Sequence, residues 1–265
     1  MNMFFHELKA NRKSTFIWTM SLILIAILYL SFYPSFVKDA EQFSKIMEGY
    51  PEAIRNALGV NLGNFFTILG FYCFPLSFIT LCGAIQAMNL GTSIVSKEVR
   101  EKTADFLLTK PVTRNTVITA KLMAAFISIV ITNILYLIAA TLMALQVQTD
   151  EFSYKVFLLL SLTIFFVQLI FLALGIIMSV VFQKIKSVLA VSLPTVFGFY
   201  FLGMFFDTTS DEAKRYLSPF KYFDTADIIK SSTYETSFLI AGAVIIIFAL
   251  ASSYFVYSKK DIHSV

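Results

Sequence analysis

Few side chains in this sequence are equipped for acid–base, nucleophilic or metal chemistry. The two histidines, His6 and His263, sit near opposite ends of the 265 residues, and Cys73 and Cys82 lie nine apart in one apolar run. Two thiols cannot build a disulfide scaffold or a Cys-based zinc or iron–sulfur site, and two distant imidazoles leave little for histidine catalysis. Asn133 and Gln168 are amides in otherwise apolar runs. Such groups pair across helices for roughly 0.6–2 kcal/mol, and the alternative role is contact with a solute path. The densest charge falls in one segment, Ser96 to Arg114, reading SKEVREKTADFLLTKPVTR.

The elements that hold these groups follow from composition. Hydrophobic residues make up 57% and charged residues 14%, against roughly 45–50% and about 25% in soluble domains. With a mean hydropathy of +0.75, a soluble enzyme is excluded, because too little polar surface exists to cover the apolar residues. Six stretches, 16–33, 65–88, 122–145, 156–182, 187–206 and 238–257, carry no Asp, Glu, Lys or Arg, and all 38 charged residues fall elsewhere. A bilayer core about 30 Å thick needs roughly 20 apolar residues of helix. Backbone groups in hydrocarbon must pair within the segment. The expectation is an all-α integral membrane protein, one transmembrane domain over 1–265 with six spans. The first run is long for a signal-peptide core and is followed by Phe32-Tyr33-Pro34-Ser35, which lacks a small-x-small cleavage pattern, so it reads as an uncleaved span.

Orientation follows from Lys and Arg in alternate loops. Segments 1–15, 89–121, 183–186 and 258–265 hold 13 basic and 5 acidic residues; 34–64, 146–155 and 207–237 hold 8 and 12. The basic set is placed in the cytoplasm, with both termini. Phe4, Phe5 and Leu8 beside Lys9, Arg12 and Lys13 suggest a short amphipathic N-terminal helix in the inner interface, or charges that only set topology. Outside, Phe43, Ile46, Met47 and Tyr50, then Ile54 and Leu58 beyond Pro51, predict two short amphipathic helices packed on the bundle or headgroups. Tyr216, Leu217, Pro219, Phe220, Tyr222, Phe223, Ile228 and Ile229 are too apolar for a free loop, and predict a segment at the interface or dipping into the bundle. Pro75 and Pro194 are expected to kink their spans. No span carries Asp, Glu or His, which counts against a proton-coupled carrier and against an intramembrane enzyme.

In the charged segment, Ser96 reads as the cap of a helix over about 97–108, with Glu98 and Glu101 at its favourable end and Pro111 as its stop. Val99, Thr103, Phe106 and Leu107 form one stripe. Composition alone leaves two readings open, docking into a partner or an interfacial helix with a solvated charged face.

The order Glu98, Glu101, Thr103, Leu107-Leu108, Pro111-Val112 and Arg114 resembles the coupling-helix signature between spans two and three of bacterial ABC-2 type exporter permeases. In that family it commonly reads E-x-x-x-G-T-x-x-x-L-L-x-x-P-V-x-R; Lys102 stands where many members have glycine. Leu217 to Phe223, with Pro219, Phe220, Tyr222 and Phe223, is similar to a second family element, and the six-span plan extends the resemblance over the chain. It implies a permease domain, not an enzyme, in the bacterial cytoplasmic membrane. A second permease, identical or homologous, and two copies of an ABC ATP-binding subunit would complete it. ATP and magnesium would be bound there, and no cofactor here. The chain has no G-x-x-x-x-G-K-S/T phosphate loop. Val99, Thr103, Phe106 and Leu107 would then be the buried docking face, with Glu98, Glu101 and Arg114 at its rim. Lipid is the other implied partner, and nucleic acid is not one. The implied function is ATP-driven export of an amphiphilic or hydrophobic cargo, a peptide, antibiotic or lipid-like molecule; the alternative is an ATP-independent channel or secondary carrier.

Overall fold

Helices dominate because the apolar runs are long and their backbone groups find partners four residues away. The computed structural model describes residues 3–39, 45–46, 49–51, 54, 66–100, 113–149, 151–182, 185–207 and 212–259. Among these the order is α1 (Met3–Ser31), α2 (Tyr33–Lys38), α3 (Ile68–Arg100), α4 (Arg114–Val147), α5 (Tyr154–Val181), α6 (Val188–Asp207) and α7 (Glu212–Arg215). A 3-10 turn (Pro219–Lys221), α8 (Thr225–Ser231) and α9 (Thr236–Lys259) follow. No strand occurs among the described residues. Six helices are long and apolar enough to cross a membrane: α1 with α2, α3, α4, α5, α6 and α9. The chain is an all-α multi-pass membrane protein with the six expected spans.

Helix ends are set by local chemistry. Thr113 caps α4, its Oγ1 accepting from Thr116 N–H at 3.3 Å. Asp224 caps α8, accepting from Ala226 N–H at 2.8 Å and Asp227 N–H at 3.2 Å. Such caps each contribute about 1 kcal/mol.

Three expectations are corrected. The N-terminal amphipathic residues form no separate short helix: α1 is continuous from Met3 into the first span, because nothing between Lys13 and Phe16 breaks helical hydrogen bonding. Ser96 caps nothing. It lies inside α3, where its Oγ donates to the Thr92 carbonyl at 2.6 Å, the back-bonding open to a serine in a helix interior. The second span therefore runs past residue 88 to Arg100, since the charge-free run itself continues to Ser96. Pro75 and Pro194 both lie within helices that run through them. Of the two predicted outer helices, Phe43, Met47 and Leu58 fall outside the described residues, while Ile46, Tyr50 and Ile54 are exposed.

The core forms around α3 and α5, which pack together more extensively than any other pair; α1 packs on α4, and α9 on α5. Leu76, Ile79, Met88, Ile129, Leu160, Phe171 and Ile176 are buried in it. The outer faces of α1, α6 and α9 expose Phe16, Leu24, Phe205, Ile247 and Phe248, an apolar girdle that suits lipid and not water.

Candidate functional site

Ionisable groups are sparse within the spans of this bundle. Among the described residues no three His, Cys, Asp or Glu side chains gather where a metal could bind. What the sequence builds is a path of close contacts from the last turns of α3 to the middle of the bundle.

The contact begins at Gly91 of α3 and Gly175 of α5. A Cβ on Gly175 would lie 2.7 Å from the Met88 carbonyl oxygen and 3.1 Å from Gly91 Cα, and one on Gly91 would collide with the Leu172 carbonyl oxygen. Only glycine at both places lets the two backbones touch, the small-residue packing that membrane helices use without a hydrophobic driving force.

About one turn farther into the bilayer, five side chains form a ladder across four helices. Asn133 Nδ2 (α4) donates to Gln168 Oε1 (α5) at 2.5 Å, and Gln168 Nε2 donates to Gln86 Oε1 (α3) at 3.1 Å. Gln86 Nε2 then donates to Thr132 Oγ1 (α4) at 3.1 Å. Thr132 gives its proton to the Ser128 carbonyl at 3.0 Å and meets Thr19 Oγ1 (α1) at 2.9 Å, so Thr19 is the donor in that pair. Gln168, Thr132 and Gln86 are at most 1% exposed. Asn133 and Gln168 are thus bonded to one another. Gln86, Thr132 and Thr19 escaped the sequence reading; drawing the second span to end at Met88 had put Gln86 at its edge. A second cluster nearer the other end joins Tyr72 to Tyr136 at 2.6 Å and to Ser161 at 3.0 Å.

At the basic end, Lys121 is 4% exposed, donates to the Ile94 carbonyl at 2.8 Å and stands 3.6 Å from Glu7. It ties α1 and α4 to the last turns of α3. Glu98 and Val99 lie in the final turn of α3, and Arg114 is the first residue of α4. Glu101, Thr103, Phe106, Leu107, Leu108 and Pro111 lie outside the described residues.

The other end is closed by residues 212–235. Ser218, fully buried, donates to the Phe199 carbonyl at 2.7 Å. Phe220 packs on Phe171 with centroids 5.0 Å apart, Phe223 stacks on Phe166 at 5.5 Å, and Pro219 is buried. Tyr222 donates to the Tyr216 carbonyl at 2.8 Å, and Tyr234 to the Leu159 carbonyl at 2.6 Å. Burial raises the pKa of both phenols, keeping them donors. Arg215 grips Glu235 through two nitrogens, at 2.6 and 3.3 Å, and lies 4.3 Å over the Phe238 ring. Asp227 beside this pair has a raised pKa, first through burial and then through Asp224 and Glu235. This segment dips into the bundle, as its apolar content predicts.

A search of the curated proteins finds no match. The family model described as ABC-2 family transporter protein matches residues 1–262. Six spans of the observed plan and a family match over nearly the whole length lead to one placement. This is a membrane permease subunit of an ABC transporter, from a family whose members are transport subunits that work with an ABC ATP-binding partner and are not themselves the ATPase; the chain belongs to the ABC-2 transporter family.

Proposed function

We propose that the chain is the permease of an exporter, working as a dimer of permeases with two ATPase subunits in a bacterial cytoplasmic membrane. The segment from Glu98 to Arg114, with a coupling helix over about 97–108, is its docking element, with ATP and magnesium held by the partner. The observation that carries this is the course of α3: one unbroken helix leads from Ile68 through the glycine crossing and the amide ladder to Arg100, at the edge of that segment. Force applied there by the closing of an ATPase dimer has a stiff element to enter. The bundle then works as a two-state device, biased by contacts that differ between the ATP-bound and nucleotide-free partner. The cytoplasmic position of this end rests on the excess of Lys and Arg in segments 1–15, 89–121, 183–186 and 258–265. An amphiphilic or hydrophobic cargo is supported by the aromatic spans, with 29 Phe in the chain, and peptide or antibiotic export fits that chemistry.

The test is co-purification of a tagged chain from its native membrane under mild detergent, with Leu107→Asp alongside. An ATPase subunit retained by the wild type and lost by the variant, with membrane insertion equal in both, is the expected result. Retention by both would remove the docking assignment. Absence of any ATPase in several detergents, with ion-dependent flux by the purified chain alone, would favour a channel or secondary carrier.

A further inference from the structure

The basic end of the bundle contains a cleft of about 450 Å³ between α1, α3 and the turn that enters α6, lined by Asn11, Ser14, Asn89, Ser93, Lys186 and Ser187 with three aliphatic neighbours. Its volume falls within the range of small-molecule sites, roughly 300–1,000 Å³. We propose that it binds the headgroup of an anionic phospholipid, a phosphodiester that also carries hydrogen-bond donors, as in phosphatidylglycerol.

Both halves of that headgroup find chemistry here. For the phosphate there is Lys186, exposed and engaged in no ion pair among the described residues. Ser187 accepts from Ala190 N–H at 3.4 Å, which leaves its own proton available to a ligand. Ser187 precedes the 20-residue α6, whose first residues Val188 and Leu189 also line the cleft, so the positive end of that helix dipole lies beside it. For the donors there is Ser93, whose proton is committed to the Leu90 carbonyl at 2.8 Å and whose lone pairs remain. Asn89 contributes an Oδ1 that is buried without a hydrogen-bond partner. No acidic residue lines the cleft, and Arg12 and Lys13 follow Asn11 on exposed positions of α1, so the local field favours an anion. The exposed apolar side chains of Leu189 above the cleft and Phe16 and Ile17 on α1 give acyl chains a surface continuous with the lipid-facing girdle. The proposal depends neither on the cargo nor on the ATPase, and it is tested on the isolated chain.

The purified full chain is placed in phosphatidylcholine nanodiscs into which phosphatidylglycerol is titrated, and retained lipid is counted by native mass spectrometry. The expected result is saturable retention of phosphatidylglycerol over phosphatidylcholine, weakened about fivefold to tenfold by Lys186→Ala. It should be restored by Lys186→Arg and unchanged by Lys155→Ala, which removes an exposed lysine at the opposite end of α5. Ser93→Leu, which fills the cleft, should abolish it while the helical circular dichroism is kept. Equal retention of both lipids, or retention indifferent to Lys186 and Ser93, would overturn the proposal. Full displacement by inorganic phosphate or glycerol phosphate at modest concentration would also overturn the lipid assignment, by showing a site for a free phosphate.

Discussion

At the scale of single residues, the bundle's stability in the membrane turns on amides that satisfy one another. Gln168 is the hinge of that set: it accepts from Asn133 and donates to Gln86. Gln168→Leu leaves Gln86 Oε1 without a partner and Asn133 Nδ2 with the Ile129 carbonyl alone, at a cost of about 1–3 kcal/mol. The expected loss is read as a lower midpoint of unfolding in mixed micelles. Because the residues share one network, Gln86→Leu with Gln168→Leu should cost less than the sum of the two; strict additivity would show that the ladder does not act as a unit. Asn133 and Gln168 were legible in the sequence as polar residues in apolar runs, since an amide at mid-depth must find a partner. Gln86 was not, because its depth depends on where α3 ends, and the span was ended at Met88 although the charge-free run continues to Ser96. Thr19 and Thr132 were out of reach for another reason: a threonine in a helix satisfies itself on its own backbone as readily as across a gap.

At the scale of helices, the determinant is how closely α3 and α5 approach. Gly91→Ala puts a methyl group into the Leu172 carbonyl oxygen, so the helices must separate, and overpacking of this kind costs about 1–3 kcal/mol. A Cβ added at Gly198 on α6 would meet nothing within 4 Å; Gly198→Ala should be neutral or stabilise by up to about 1 kcal/mol through helix propensity. Thermal unfolding of the two variants side by side checks the contrast, and equal losses would remove the special status of the crossing. The six helices were legible because hydrocarbon admits no other structure for runs of that length. The boundary at Ser96 was misread because serine serves equally as a helix cap and as an interior residue bonded back to the preceding turn. Only the helix on its N-terminal side distinguishes the two.

At the scale of the whole molecule, the asymmetry of charge implies a direction across the membrane. A cysteine at Thr149, in the exposed turn between α4 and α5, should react with an impermeant maleimide in intact cells. One at Asn115, in the first turn of α4, should react only after permeabilisation. Both are made in a Cys73→Ala, Cys82→Ala background, and the reverse pattern would invert the orientation. The family was legible in the segment from Glu98 to Arg114, and it rests there on order and spacing, not on any contact within the bundle. How that segment sits was not legible, since its apolar stripe suits a partner's groove and a membrane interface equally.

The position of the glycine crossing along α3 has a mechanical meaning. Gly91 stands nine residues from Arg100 and twenty-three from Ile68, so at 1.5 Å per residue the arms of this helix are about 14 and about 35 Å long. A rigid rod turning about that crossing is a lever with unequal arms, and a 1 Å displacement at its basic end becomes a swing of about 2.5 Å at the other. On the proposed docking, a small push at the basic end would become a larger displacement at the other, and the residue that sets the gearing is the one that can carry no side chain.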